Sequence, residues 1–384
     1  MRKLRMGMIG GGKGAFIGAI HRFAANADGL IELVCGVLSS DKDVAFESGR
    51  SLFIPEDRIY TTYEEMLQKE SELPAEKRMD FVTIVTPNYA HFAPAIACLE
   101  KGFHVVIEKP ITVTLDEALE LKKKRDETGL LLCLTHTYAG YPMVKEARDL
   151  VKKGALGNIR KVYVEYKQGW LSKPSEREGN AQAAWRTDPT KAGKSGVMGD
   201  IGTHAAHLAE YISGLCITQV CADLNTIVEG RALDDDGSVL LKFENNATGV
   251  LIATQVAAGE ENNLSINIYG EKGGLEWNQQ EPNTLLIKWL DKPAEILRAG
   301  SGYLSDVAKN NCRTPGGHPE GYLEAFANIY RNFALTLSAK INNIKIEDEL
   351  IDFPSVEDGI RGMAFIETIV SSSKSNEKWT DYIL

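Results

Sequence analysis

Leu4-Arg5-Met6-Gly7-Met8-Ile9-Gly10-Gly11-Gly12-Lys13-Gly14-Ala15-Phe16-Ile17-Gly18 is the stretch on which the fold turns. Leu4 to Ile9 is an apolar run of strand length, the glycines form a turn, and Ala15 to Ala27 has the spacing of a helix. Glycine lets the backbone bend tightly and come close to a ligand, and the amides at the start of a helix attract a pyrophosphate. A glycine pattern alone is weak, but this one sits between a strand and a helix at the start of the chain, the context a dinucleotide needs. Gly10, Gly12, Lys13, Phe16 and Ile17 are the positions of this turn that face such a ligand.

Outward from this turn, the first third alternates strands and helices. Ile31 to Leu38, Asp80 to Thr86, His104 to Ile107 and Leu130 to Thr135 are short apolar strands, with helices near Ala90 to Lys101 and Leu115 to Thr128. Continuous apolar strands alternating with helices predict a doubly wound α/β domain with a parallel sheet. After Thr135 the grammar changes. A helix from Met143 to Lys153 precedes an alternating strand, Ile159 to Tyr166, then a polar segment to about Val197 and a helix from Asp200 to Ser213. Strands then follow one another from Thr218 to about Leu290, which predicts an α+β domain with a large, open, mostly antiparallel sheet. A long loop, Lys292 to Pro319, and helices Tyr322 to Ser338 and Val356 to Ser373 complete the chain. With 384 residues, two domains are expected, divided as 1–137 and 138–384.

A net charge of -10 argues against nucleic acid or an anionic membrane surface as partner, since both need a basic field. The six cysteines are scattered through apolar runs without paired short spacings, as expected of reduced thiols in a cytoplasmic protein. No apolar run reaches the roughly 18 to 20 residues that a spanning helix needs.

The carboxyl ends of strands in a doubly wound sheet form the ligand crevice, so polar residues there are site candidates. The second strand ends in Ser39 and Ser40, with Lys42 close by, where an acid would select NAD by meeting the ribose. These residues bond either a ribose hydroxyl or a 2′-phosphate, so both NAD and NADP stay open. Thr86, Pro87, Asn88 and His91 follow the third strand, and Glu108 and Lys109 follow the fourth. In the second domain Asp200, His204 and His207 are spaced four and seven apart, which places them on one face of a helix. Such a face suits proton transfer by His204, or a divalent metal. Tyr138 at the domain junction and His318 at the end of the long loop are further candidates to line a cleft.

Taken together, Gly18-x-x-His21, TPNYAH from Thr86, EKP from Glu108 and GDIGTHAAHL from Gly199 are distinctive. The chain resembles, over essentially its whole length, the family of glucose-fructose oxidoreductase, inositol dehydrogenase and rhizopine-catabolism proteins (Gfo/Idh/MocA). The resemblance implies a Rossmann domain holding NAD or NADP, with NAD slightly favoured, and no metal. It places Lys109 beside the nicotinamide and the reacting hydroxyl, and Asp200 and His204 as its catalytic partners. Thr86, Pro87, Asn88, His91 and Glu108 match the stretch lining the nicotinamide, and Trp185 and Arg186 a pair bordering cofactor and substrate. Lys109, Tyr138, Arg186, Asp200, His204 and His318 are then the residues expected to meet a carbohydrate or polyol. The implied reaction is hydride transfer at a secondary alcohol. NAD-dependent glycoside cleavage occurs in the same family, and a non-catalytic dinucleotide sensor is the remaining alternative. Two departures from the family pattern stand out: the glycine loop is about three residues longer, and the ribose-side acid is missing. An open sheet needs cover for one face, so a homodimer or homotetramer through the second domain is expected.

Overall fold

The computed structural model describes residues 2–346 and 352–384. From its start the chain runs β1 (Leu4–Gly10), α1 (Phe16–Asn26), β2 (Ile31–Val37), α2 (Lys42–Ser51), α3 (Tyr63–Glu72), β3 (Phe81–Val85), α4 (Phe92–Glu100), β4 (His104–Ile107), α5 (Leu115–Thr128) and β5 (Leu132–Leu134). It continues α6 (Pro142–Lys152), β6 (Ile159–Lys167), α7 (Ala181–Arg186), α8 (Pro189–Ala192), α9 (Thr203–Ser213), β7 (Ile217–Asn225), β8 (Asp236–Phe243) and β9 (Thr248–Thr254). Next come β10 (Asn263–Gly270), β11 (Gly273–Asn278), β12 (Thr284–Trp289), β13 (Glu295–Arg298), α10 (Asp306–Lys309), α11 (Tyr322–Asn342), α12 (Val356–Lys374) and β14 (Thr380–Asp381).

The described chain divides into two compact units, Met1–Gly140 with Tyr322–Ile360, and Tyr141–Gly321 with Arg361–Leu384. The cut between 137 and 138 expected from the change of grammar does not include the return of α11. That helix rejoins the first unit because its apolar face, Phe326, Ile329, Tyr330, Phe333 and Leu337, joins the core of Leu4, Met6, Ala24, Ile31 and Phe81. An amphipathic pattern shows that a helix buries a face, but not which sheet receives it.

In the first unit five strands lie in the order β2-β1-β3-β4-β5, every pair parallel. The order reverses between β1 and β3, where the chain leaves for β2 on one side and returns on the other. At such a switch point the two connections diverge and leave a crevice beyond the strand ends. Gly10 pairs with Val85 at that place. α5 starts in a capping box, with Thr114 accepting from the Glu117 amide and the Glu117 carboxylate accepting from the Thr114 amide, and stops at left-handed Gly129.

In the second unit nine strands lie in the order β13-β12-β11-β10-β6-β9-β8-β7-β14. Only β6 and β9 are parallel; the other pairs are antiparallel. Along β6, Val162, Val164 and Tyr166 are buried while Tyr163 between them is exposed, the alternation of a sheet with one covered face. The segment Lys292 to Pro319, expected as a loop, contains the edge strand β13 and the short helix α10. No described helix is long and apolar enough to cross a membrane.

Candidate active site

The glycine loop is shaped by close backbone packing. Gly10, Gly11 and Gly14 have φ of +81°, +73° and +84°, which L side chains rarely adopt. A Cβ on Gly12 would lie 2.4 Å from the Leu38 carbonyl oxygen, and one on Gly18 only 2.2 Å from the Gly11 oxygen. The first turn of α1 therefore lies directly against the loop. No side chain caps α1 at Ala15, so its leading amides point into the turn without an internal anion. A cradle that only glycine fits, beside an uncapped helix start, suits a dinucleotide pyrophosphate. Phe16 is exposed and Ile17 packs on the core beneath. The Lys13 amide donates to Ser48 Oγ at 3.0 Å, and Lys13 Nζ pairs with Glu47 on α2 at 2.5 Å. Ser39 accepts from the Asp41 amide at 3.1 Å, and Ser40 and Lys42 stand exposed at the start of α2. Asp41, the acid nearest the end of β2, caps α2 by accepting from the Val44 amide.

Beyond β3, Thr86 Oγ1 donates to the Ala90 carbonyl at 2.9 Å, Pro87 is exposed and Asn88 is buried. His91 is fully buried, with its ring nitrogens 2.8 Å from the Pro110 carbonyl oxygen and 2.9 Å from that of Thr86. Burial lowers its pKa, against the pull of the two carbonyls. Its ring ties the loop after β3 to the loop after β4, so both ring nitrogens lie against the backbone of these loops. Glu108 is likewise turned inward. Its Oε1 accepts from His21 Nε2 at 2.8 Å and Thr135 Oγ1 at 2.6 Å, and its Oε2 from the Lys109 amide at 3.1 Å. Burial pushes this carboxyl up, but the bond and charge of His21, the Thr135 bond and the Lys109 charge outweigh it and hold the pKa at about 2. Lys109 is half-buried, and Tyr138 is buried in the short helical turn Thr137–Gly140.

In the second unit Asp200 lies on a π-helical turn, Met198–Gly202, which runs into α9. The sequence predicts one regular helix from Asp200; the wider turn instead offsets Asp200 from the α-helical spacing of His204 and His207. Such turns recur at functional sites because they re-aim one side chain without ending the helix. Asp200 Oδ2 accepts from Arg186 Nε at 3.0 Å and from Gln255 Nε2 at 2.9 Å. The Arg186 guanidinium stacks on Trp185 at 4.1 Å and lies 5.7 Å from the Trp170 ring. Gln255 also donates to Gln168 Oε1 at 3.1 Å, which accepts from Trp170 Nε1 at 2.9 Å. His204 is buried, its ring 6.3 Å from that of Tyr166, and His207 stacks on Tyr211 at 5.6 Å. Among the described residues no group of three or more His, Cys, Asp and Glu could hold a metal ion. His318 stands exposed, its Nδ1 3.3 Å from the Pro315 carbonyl oxygen.

The structure thus brings Asp200 and Arg186 together in one unit, and Glu108 and Lys109 with the glycine loop in the other. Sequence reasoning missed Thr135, Tyr330, Gln255 and Asp234. Asp234 is the anchor of the π-helical turn: it accepts from Ser195 Oγ and from the Gly196 and Met198 amides, at 2.9, 2.9 and 3.1 Å. Burial raises its pKa, and these three bonds oppose the rise. Its distance in sequence from Asp200 hides that role, although the Asp run at 234–236 is a visible signal.

Residues 4–136 match an oxidoreductase family with an NAD-binding Rossmann fold, and residues 144–276 match the GFO/IDH/MocA C-terminal domain. The chain is 31% identical to the uncharacterized oxidoreductase YfiI of Bacillus subtilis, over 99% of this chain and 97% of that one. It is 27% identical to levoglucosan dehydrogenase of Pseudarthrobacter phenanthrenivorans, over 99% of this chain and 98% of that one. An inositol dehydrogenase homolog from Azotobacter vinelandii, solved with NAD+, superposes with a TM-score of 0.94 at 34% identity, covering 99% of this chain and 98% of that chain. The same homolog has been solved with NADH and myo-inositol. With both of its domains matched and a relative above 30% identity along its whole length, the chain belongs to the Gfo/Idh/MocA family of NAD(P)-dependent oxidoreductases.

Proposed function

We propose that the protein transfers a hydride between a nicotinamide dinucleotide and a secondary alcohol of a sugar, glycoside or cyclic polyol, using Lys109, Asp200 and His204. The observation that carries this reading is the Asp200 carboxylate, fixed from one side by Arg186 and Gln255 on the helix that bears buried His204. When bound, the dinucleotide supplies the hydride acceptor or donor at C4 of its nicotinamide ring. Gly10, Gly12, Phe16 and Ile17 hold its pyrophosphate side, and Thr86, Pro87 and Asn88 its nicotinamide side. Lys109 polarises the reacting hydroxyl by donating a hydrogen bond to its oxygen. His204 takes the proton in the oxidising direction and returns it in the reducing one, the general acid and base role open to an imidazole. Asp200 accepts a hydrogen bond from a ring hydroxyl and so orients the alcohol, while Trp185 and Arg186 border the ring.

Between the two dinucleotides we favour NAD. Asp41 keeps a carboxylate at the start of α2, and Lys13 is already paired with Glu47, so a 2′-phosphate would meet an acid and a neutralised base. The solved homolog with NADH and myo-inositol supports both the cofactor and the substrate class. The uncovered face of the nine-stranded sheet is the surface through which we expect two or four copies to assemble, in the cytoplasm. A screen of sugars and cyclic polyols against NAD and NADP, read as absorbance of the reduced dinucleotide, tests the function. Reduction of NAD by one or more of them is expected. Cleavage of a glycoside without net reduction would overturn the dehydrogenase reading in favour of glycoside hydrolysis.

A further inference from the structure

His21 is fully buried beneath the dinucleotide cradle, and the proposed chemistry does not use it. It stands one turn after Gly18, on the helix whose start packs against the glycine loop. Its Nε2–H donates to Glu108 Oε1 at 2.8 Å, and its Nδ1 lies 2.7 Å from the Tyr330 hydroxyl, which lies 3.1 Å from Thr83 Oγ1. The ring also meets Phe326 edge-on at 4.8 Å. Glu108 passes the connection on by accepting from the Lys109 amide. One buried chain of hydrogen bonds therefore runs from β3 through α11 and α1 to the residue after β4.

Packing alone does not explain such a chain. Buried polar and charged groups lose hydration, and well-packed apolar residues of the same shape hold a core together equally well or better. What a fully satisfied polar chain adds is a single orientation, because each donor accepts only one direction of approach. Both oxygens of Glu108 are engaged, by His21 and Thr135 on one side and Lys109 on the other, so its carboxylate is held against rotation.

We propose that Tyr330, His21 and Glu108 form a positioning relay that registers Lys109 against the helix cradling the dinucleotide. His21 and Tyr330 are then positioning residues that touch neither cofactor nor substrate. The inference rests on Lys109 being the reactive lysine of the proposed function, so its test includes a readout independent of turnover.

The experiment compares the full-length wild type with His21→Leu, His21→Gln and Tyr330→Phe. Four quantities are measured: NADH affinity by fluorescence quenching, the rate of Lys109 acetylation by trace acetic anhydride, and kcat and KM with myo-inositol as probe substrate. Acetylation is read by peptide mass spectrometry relative to exposed Lys101. For His21→Leu the expected result is a kcat lower by at least about tenfold, with KM and NADH affinity within about threefold of wild type. The Lys109 acetylation rate should change by at least about threefold, and His21→Gln, which restores a donor to Glu108, should recover most of both losses. Should His21→Leu not fold, Tyr330→Phe decides, with a smaller change of the same pattern expected. An unchanged Lys109 labelling rate would overturn the relay, as would kcat and NADH affinity falling in parallel. If myo-inositol and other polyols give no NADH even with wild type, the dehydrogenase reading fails, and the labelling arm still decides the relay.

Discussion

His21, His91 and His204 look alike in the sequence, each a histidine inside a motif, and their surroundings make three different groups of them. His91 faces two backbone carbonyls and His21 faces a carboxylate and a phenol, so both rings are committed to holding neighbours in place. His204 lies on the helix that follows the turn carrying Asp200, and it is the one to which we assign proton transfer. Replacing His204 with Asn should therefore lower kcat by roughly 10² to 10⁴, the usual worth of a positioned general acid or base, while NADH affinity stays near wild type. Stopped-flow and equilibrium titration separate the two effects, and an unchanged kcat would remove His204 from the chemistry. Gly18→Ala makes the opposite split. Its Cβ would meet the Gly11 backbone oxygen at 2.2 Å, a partner that no side-chain rotation can move, so the cradle must open. NADH affinity is expected to fall by at least about tenfold, about 1.4 kcal/mol, as read by fluorescence quenching. Motif residues were legible because their types are restricted by chemistry. Their partners Thr135, Tyr330 and Gln255 were not, because threonine, tyrosine and glutamine occur at such spacings for many reasons and only the fold brings them near.

The π-helical turn and the parallel strand β4 show what individual elements add. Asp234 closes the amides at the start of the turn that carries Asp200, so Asp234→Ala leaves buried donors without an acceptor. A loss of about 1 to 3 kcal/mol in chemical denaturation is expected, with a lower kcat because Asp200 shifts. Asp234→Asn, which keeps an acceptor oxygen, should lose less. On β4, His104 Nδ1 accepts from the Leu131 amide at 2.8 Å, and burial lowers its pKa from an ordinary 6.5 to about 4. The folded state thus disfavours the charged ring more than the unfolded chain does. Its contribution to stability is full above pH 6.5 and is lost as pH falls towards 4, amounting to up to about 3 kcal/mol. His104→Asn keeps an acceptor without the titration, and should flatten the fall in melting temperature over that range. An equally steep fall in the variant would assign the effect elsewhere. The strands were legible from apolar runs, α1 from the glycine turn before it and α5 from its place between two such strands. α2 and α3 were not anticipated, because their sequences are polar and their burial rests on a few residues, Ala45, Ser48, Met66 and Leu67 among them.

For the whole molecule, the change from alternating to consecutive strands makes both fold classes readable in the sequence. The return of α11 to the first unit was hidden, since a long amphipathic helix carries no label for its destination. The nine-stranded sheet raises the question of cover. On the face away from its buried side chains, Tyr163 pairs with Val250 and Val250 with Leu240, making an apolar row across three neighbouring strands. Tyr163 and Leu240 remain 40% and 45% exposed in the single chain, while Lys161, Glu165 and Lys242 flank the row. Apolar side chains adjacent in this way lose contact with water when a second copy lies over them. An isologous interface presents the same residue twice, so a charge introduced near the axis meets its own copy. Leu240→Lys places two ammonium groups in that position and removes two leucines from the contact. Light scattering behind gel filtration should therefore give a dimer or tetramer for wild type and a shift towards the 42.2 kDa monomer for the variant. A monomeric wild type would show that the face works uncovered. A variant of unchanged mass would move the interface to another surface.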